Sequence, residues 1–171
     1  MTTSPLNALA ARLESVEALD VPGRAAGRTI RALIGDGAPK EANFLVLILH
    51  DPDSPRRNGF THWLLYDIPA TIGRVRENIP RHEQLADAAL QGRNDSGEIG
   101  YTGPCPPTGR HRYFARLYAL RDKLGLPAGA TADEVQFALD GKVIEQCELM
   151  ATYQKSGTAS RESANKSHAA R

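Results

Sequence analysis

The spacing of hydrophobic residues changes between residues 1–34 of this chain and the rest of it. In the first segment, apolar positions recur at helical spacing and predict an amphipathic helix. These positions are Leu6, Leu9, Ala10 and Leu13. Beyond residue 42 the apolar residues instead form short runs bounded by proline, glycine and aspartate, which is typical of strands. We therefore predict an atypical N-terminal segment over residues 1–34, helical or poorly ordered, followed by a β-rich domain.

Several runs of the later sequence predict strands. Residues 43–50 are almost continuously apolar, as expected for a strand that is covered on both faces. Residues 62–68 form a second run, and residues 112–120 form a third in which apolar side chains alternate. Residues 147–153 are a further candidate, whereas residues 70–98 show no clear period.

A short helix is predicted near the end of the domain. Thr131 and Glu134 stand at capping-box spacing, in front of apolar residues at helical spacing. Gly141 weakens this helix but does not by itself fix its end. Residues 155–171 are polar and without period, which predicts a disordered tail. Strands that come first and helices that come late indicate a mostly β domain with small peripheral helices.

Composition narrows the class of protein. The chain has 171 residues, of which 41% are hydrophobic and 24% charged, as in one ordinary folded domain. Its net charge of +1 gives no overall field for nucleic acid or an anionic membrane. The longest apolar run, residues 44–49, is far too short to cross a bilayer, and no secretory signal is evident. Two cysteines, Cys105 and Cys147, fit neither a disulfide framework nor a metal-knuckle spacing, so a cytoplasmic location is expected.

Polar side chains stand at the ends of the predicted strands. Asp51 and Asp53 follow the first strand, His62 opens the second, and His111 opens the third. Polar groups presented at strand ends by rigid loops are a common way to line a pocket. An imidazole donates hydrogen bonds and gains charge near neutral pH, and a neighbouring carboxylate fixes its tautomer. The pattern indicates a site for a small anion, such as a phosphate or a carboxylate.

The loop before the third strand adds to this picture. Residues 92–113 contain five glycines and three prolines, which allow close backbone approach and hold one shape. Tyr101 or Tyr113 is a candidate for a further donor. Each residue also has a plainer interpretation: Asp51 as a turn residue before Pro52, the histidines as satisfied core residues, and the tyrosines as core or rim aromatics.

Taken together, five segments in one order resemble the phosphatidylethanolamine-binding protein family, and most closely its bacterial Raf-kinase-inhibitor-like branch, the YbhB/YbcL type. The resemblance covers about residues 35–154. The segments are Asp-Pro-Asp-Ser-Pro at 51–55, His-Trp at 62–63, Gly-Arg-Asn-Asp at 92–95, Gly-Tyr-Thr-Gly-Pro-Cys-Pro-Pro at 100–107, and His-Arg-Tyr-Phe at 111–114 with Leu-Tyr-Ala-Leu at 117–120.

The resemblance implies an antiparallel β-sandwich of two sheets with Greek-key connections and small peripheral and C-terminal helices. It also implies an anion pocket that accepts phosphate, phosphorylethanolamine head groups or acetate-like ions. A cis peptide bond at one of the motif prolines is expected as well. Residues that match the family's pocket are Asp51, Pro55, His62, His111 and Tyr113, and residues that match its wall are Gly103, Pro106 and Pro107.

One segment departs from the family pattern. Residues 1–34 replace the strand region that family members carry before the first motif, and Trp63 is the only tryptophan. A sandwich without those strands would leave a sheet edge or a core face uncovered.

Three functions remain open at this point. The leading interpretation is a non-enzymatic protein that binds a small phosphate-like anion, without a cofactor, and that regulates a protein partner. The second is a metal-dependent hydrolase that uses the His and Asp cluster, although no HExxH or Gly-x-Ser-x-Gly motif is present. The third is a protein-interaction module with a vestigial pocket. A homodimer is compatible with each of them, whereas nucleic-acid binding and membrane insertion are not expected.

Overall fold

The computed structural model describes residues 38–72 and 79–155. Its elements are strands β1 (Phe44–Asp51), β2 (Phe60–Pro69), β3 (Leu90–Gln91) and β4 (Arg110–Leu120), helix α1 (Ala132–Leu139) and strand β5 (Val143–Gln154). The strands form one antiparallel sheet in the order β3-β2-β1-β4-β5. The predicted mostly β, antiparallel fold with a short helix is therefore confirmed, whereas the described residues form one open sheet and include no second sheet of the expected sandwich. The predictions for residues 1–34 and for the tail beyond residue 155 lie outside the described residues.

The individual strands follow the hydrophobic runs closely. The three runs at 43–50, 62–68 and 112–120 all become strands, and β1 lies at the centre of the sheet, as its continuous apolar run requires. β5 begins at Val143, four residues before the predicted start. β3 is a short strand inside the stretch that showed no period, because it is held by pairing with β2 and not by its own sequence.

One expectation needs correction, and one open point is decided. No peptide bond among the described residues is cis, so the expected cis bond at a motif proline is wrong; Pro52, Pro55 and the prolines of the 100–107 segment all follow the trans bond that costs least. Helix α1 ends at Leu139, before Gly141, whose φ of +70° lies in the turn that leads into β5. Its start is as predicted, since Thr131 and Glu134 form both hydrogen bonds of the capping box.

Alternating side chains give the sheet two buried faces. One face, called here the helix face, packs against α1; its core is Val46, Ile48, Leu64, Tyr66, Tyr118, Leu120, Val135 and Leu139. The opposite face, called here the pocket face, has a second core; its main members are Leu45, Leu47, Leu49, Trp63, Leu65, Tyr113, Ala115 and Leu117. Burial on both faces explains why β1 shows no polar alternation. Within residues 38–72 and 79–155, no helix has the length and hydropathy of a membrane-spanning segment.

Candidate functional site

A cavity of about 230 Å³ opens on the pocket face, where β1 ends and β2 and β4 begin. The antiparallel order β2-β1-β4 brings these three strand ends together, although they are far apart in sequence. The cavity is lined by Asp51, Ser54, Phe60, His62, Ser96, Thr102, Gly103, Cys105, Pro106, Pro107 and His111.

Asp51 and His111 form a buried pair on the cavity wall. The Nδ1–H of His111 donates to Asp51 Oδ2 over 2.8 Å, and the two side chains are only 8% and 5% exposed. The other oxygen of Asp51 accepts the backbone N–H of Asp53 at 2.9 Å. Asp51 therefore stabilises the turn after β1 and also orients the imidazole of His111, which leaves Nε2 as that ring's remaining nitrogen.

His62 is oriented by a backbone carbonyl instead. Its Nδ1 lies 2.8 Å from the carbonyl oxygen of Thr102, and a carbonyl only accepts, so the proton is on Nδ1 and the lone pair of the neutral ring is on Nε2. The N–H of Thr102 donates back to the His62 carbonyl at 2.9 Å, which ties the glycine- and proline-rich loop to β2. Burial lowers the pKa of His62 below its ordinary value of 6.5.

A β-bulge decides which face His62 occupies. Leu49 pairs with Trp63 while His50 pairs with Thr61, so His62 is the extra residue of β2. Strict alternation would place His62 on the opposite face from Trp63. The bulge breaks this alternation and turns the imidazole toward the pocket face, where its ring lies 5.3 Å from that of Tyr113.

The 92–109 loop is held in place by its own side chains. Asn94 accepts the N–H groups of Ser96 and Glu98 and donates to the carbonyl of Gly100 at 2.9 Å. The neighbouring Asp95 carboxylate accepts the N–H of Thr61 at 2.6 Å. These bonds fasten the Gly-Arg-Asn-Asp segment to the start of β2 and place Ser96 on the cavity wall.

Tyr113 lies behind the cavity wall. It is 4% exposed and belongs to the core of the pocket face, and its hydroxyl has no hydrogen-bond partner among the described residues. Burial, followed by the nearby charge of Asp51, raises the pKa of Tyr113 well above its usual range. A buried hydroxyl without a partner costs free energy. Tyr113, which the resemblance implied for the pocket, is not among the residues that line the cavity.

The remaining predicted residues divide into two groups. Gly103, Pro106 and Pro107 line the cavity, as the resemblance implied for the wall. Pro55 does not, because the turn after Asp53 points it into solvent, and Ser54 lines the cavity instead.

Three further side chains in or next to the motifs, those of Asp53, Trp63 and His50, do not line the cavity. Asp53 forms a bidentate ion pair with the Arg112 guanidinium, which holds the pKa of that carboxyl well below its usual range. Trp63 is a core residue whose Nε1–H donates to Gln91. His50 bonds to Thr61 at 3.3 Å and is absent from the cavity lining, in agreement with a structural role.

Sequence reasoning missed five cavity residues: Ser54, Phe60, Ser96, Thr102 and Cys105. Three of them belong to the glycine- and proline-rich loop, whose shape depends on contacts with β2. Cys105 is exposed and lies on the cavity wall. Within the described ranges, no group of three or more His, Cys, Asp or Glu side chains is arranged to hold a metal ion.

Comparison with known proteins agrees with the motifs. The family model of phosphatidylethanolamine-binding protein matches residues 21–154. A UPF0098 protein of Methanothermobacter thermautotrophicus is 46% identical over 120 residues, covering 70% of this chain and 79% of the relative. A UPF0098 protein of Aquifex aeolicus is 39% identical over 133 residues, covering 75% and 77%.

Two crystal structures share the fold. One is a phosphatidylethanolamine-binding protein homologue of Chlamydia trachomatis, with 40% identity, a TM-score of 0.63, and coverage of 70% of this chain and 77% of that chain. The other is E. coli YbcL, described as a member of the mammalian family, with 30% identity, a TM-score of 0.64, and coverage of 70% and 76%. With the motifs, the fold and these relatives in agreement, the chain belongs to the phosphatidylethanolamine-binding protein family.

Proposed function

We propose that this protein is a non-enzymatic binding protein whose cavity takes a phosphate-like or other small anionic group. The observation that carries the proposal is the orientation of two imidazoles on one cavity wall. His62 and His111 each commit Nδ1 to a protein acceptor, and each keeps Nε2 for a ligand. A protonated Nε2 donates a charge-assisted hydrogen bond to an anion oxygen.

The surroundings of these rings suit an oxygen-rich anion. Ser54 and Ser96 add hydroxyl donors to the wall, and Gly103 allows close backbone approach. Asp51 accepts the Nδ1–H of His111 and so holds that ring in one orientation on the wall. A volume of about 230 Å³ suits a phosphate or phosphorylethanolamine group and not a large ligand.

Binding without catalysis is the interpretation that the hydrogen bonds favour. A serine or cysteine nucleophile needs a base within hydrogen-bond reach. Among the described residues, His62 and His111 bond only to the Thr102 carbonyl and the Asp51 carboxylate, and to no hydroxyl or thiol. We place the protein in the cytoplasm, a proposal supported by its two unpaired cysteines.

Thermal unfolding tests the proposal directly. A ligand that binds only the folded state at about 100 times its Kd adds about 2.7 kcal/mol of stability. For a chain of this length, that raises the Tm by about 5 to 10 °C. We expect inorganic phosphate and phosphorylethanolamine to give this shift, and choline, which has no anionic group, to give none.

The matched variant is His111→Gln, which keeps a donor toward Asp51 but loses the Nε2 atom that faces the ligand. We expect it to fold and to lose most of the phosphate-induced shift. A wild-type Tm that does not change with phosphate refutes the proposal. A protein partner that binds equally well to wild type and to His111→Gln would favour the interaction-module interpretation instead.

A further inference from the structure

We propose that Cys105 is a covalent modification site for small electrophiles that carry an anionic group, which the cavity holds beside the thiol. This inference rests on the proposed anion-binding function and extends it to a class of ligand. The class is small carboxylates or phosphates with an electrophilic carbon, such as α,β-unsaturated carboxylates.

The position of Cys105 is the first observation. The residue is exposed and lines the same cavity as His62 and His111. It stands between Pro104 and Pro106, whose rings restrict the backbone, so the thiol is presented on a rigid part of the wall. A molecule whose anionic group accepts from the two imidazoles therefore has the rest of its atoms near the sulfur.

The two imidazoles are an independent observation that points to an occupant. His62 and His111 are only 5% and 6% exposed, and both line the cavity. Each ring has its Nδ1 committed to a protein acceptor and keeps Nε2 for a ligand. A ligand between the imidazoles and Cys105 would give these Nε2 atoms the partner that the described residues do not supply.

The chemistry needs only the thiolate and the electrophile. With a haloacetate, the Cys105 sulfur attacks the methylene carbon, an S–C bond forms, and the carbon–halogen bond breaks with its electron pair leaving on halide. With an α,β-unsaturated carboxylate, the sulfur adds to the β-carbon and the displaced π pair takes up a proton at the α-carbon. In both cases the thiol proton goes to solvent. Holding the anionic group raises the local concentration of the electrophile.

The chain contains its own control in Cys147. This second cysteine lies on β5, away from the cavity, and is half-buried against the core of the pocket face. Burial raises the pKa of the Cys147 thiol to about 11, so little thiolate is present near neutral pH. The reaction of one reagent can therefore be compared at two cysteines, of which Cys105 lies beside the proposed anion site and Cys147 does not.

The experiment compares an anionic and a neutral reagent of nearly equal size. Wild-type protein is labelled with iodoacetate or iodoacetamide, and each cysteine is followed by peptide mass spectrometry, in the folded state and in denaturant. Both reagents react with the thiolate form of the same cysteine, so the ratio of their rates does not depend on the fraction of thiolate present. At Cys105 we expect the iodoacetate-to-iodoacetamide ratio to be about tenfold higher in the folded state than in denaturant. Sulfate should suppress this excess, and at Cys147 the ratio should not rise.

The pH dependence and a variant make the test specific. The titratable groups around the cavity are Asp51, His62, His111 and Cys105, with His50 and Asp95 acting on His62 from β1 and the loop. Protonation of His62 adds positive charge, so the ratio at Cys105 should rise as the pH falls from about 8 to about 6. His111→Gln should lower the ratio at Cys105, while slow labelling of the half-buried Cys147 by iodoacetamide shows that the protein is still folded.

The outcomes separate this inference from the function on which it rests. If sulfate raises the Tm but the ratio at Cys105 is the same in folded and denatured protein, the covalent site is refuted and the anion pocket stands. If sulfate neither raises the Tm nor protects Cys105, both proposals fall. Selective, sulfate-sensitive labelling of Cys105 by iodoacetate supports both.

Discussion

At the scale of single residues, hydrogen bonds within the protein determine which atoms of the cavity wall remain for a ligand. Asp51 uses both carboxylate oxygens, one for the turn at Asp53 and one for His111. The Nδ1 of His62 is held by the Thr102 carbonyl. These bonds leave the two Nε2 atoms for a partner, so a ligand would meet imidazoles that are already oriented.

Replacing Tyr113 by phenylalanine should raise stability without weakening binding. The change removes a buried hydroxyl without a partner, so the protein without ligand should gain about 1 kcal/mol of stability. Tyr113 does not line the cavity, so phosphate affinity should stay the same. Chemical denaturation and calorimetric titration measure the two quantities, and a fall in phosphate affinity would show that a bound anion reaches the hydroxyl.

Anion binding should strengthen as the pH falls. Burial lowers the pKa of His62 below 6.5, so the protein without ligand holds this ring neutral near pH 7. A bound anion favours the charged ring, hence the complex takes up a proton, and affinity rises as pH decreases through this range. Sulfate, whose charge is constant here, should bind more tightly at about pH 6 than at about pH 8. Equal affinities by calorimetry, with no proton uptake, would contradict a charged His62 or His111 in the complex.

At the scale of elements, the connection between β1 and β2 determines the site. The bulge at His62 turns one imidazole toward the pocket face, and the turn at residues 51–59 holds Asp51 at the end of β1. Gly59 closes this turn with a φ of +74°, and a Cβ on it would lie 2.5 Å from the Asp51 carbonyl oxygen. Gly59 is therefore required both for its backbone angle and for close approach.

The Gly59→Ala variant should damage stability and binding together. Gly141→Ala is the matched control, because Gly141 also has a positive φ of +70° but no atom within 4 Å of its added Cβ. We expect Gly141→Ala to cost about 1 kcal/mol from the left-handed backbone. Gly59→Ala should cost at least about 1 kcal/mol more from overlap, and should weaken sulfate binding. Similar free energies of unfolding for the two variants would show that the turn relaxes without moving Asp51.

At the scale of the whole molecule, one sheet separates two hydrophobic cores, of which one packs against α1 and the other lies beside the cavity. The helix face is closed by α1, through Val135 and Leu139. The pocket face carries the cavity at one end of its own core. Stability can therefore be changed on the helix face without a change in the geometry of the anion site.

Leu139→Ala tests this separation. Leu139 is 4% exposed, so its truncation should cost about 2 to 5 kcal/mol of unfolding free energy. Phe137 lies on the same helix but is 85% exposed, and Phe137→Ala should change stability by no more than about 0.5 kcal/mol. Neither variant should alter the Kd for sulfate measured well below the Tm. A changed Kd in Leu139→Ala would mean that the two faces are coupled.

The sequence by itself determined the elements whose signals are local. Continuous apolar runs predicted β1, β2 and β4, because a strand buried on both faces needs no polar alternation. The capping box predicted the start of α1, because both of its hydrogen bonds form within one helical turn. Motif order also indicated Asp51, His62 and His111 as one site, since rigid loops at strand ends present polar groups.

Only the tertiary structure decided how those residues meet. The bulge that turns His62 depends on the register with β1, the short strand β3 depends on pairing with β2, and the exposure of Pro55 and Cys105 depends on how two loops fold over the sheet. Such features arise from contacts between distant segments, which leave no periodic trace in the chain. For that reason the candidate ligands of the site could be inferred from sequence, whereas the unpartnered Tyr113 hydroxyl and the thiol beside the cavity could not.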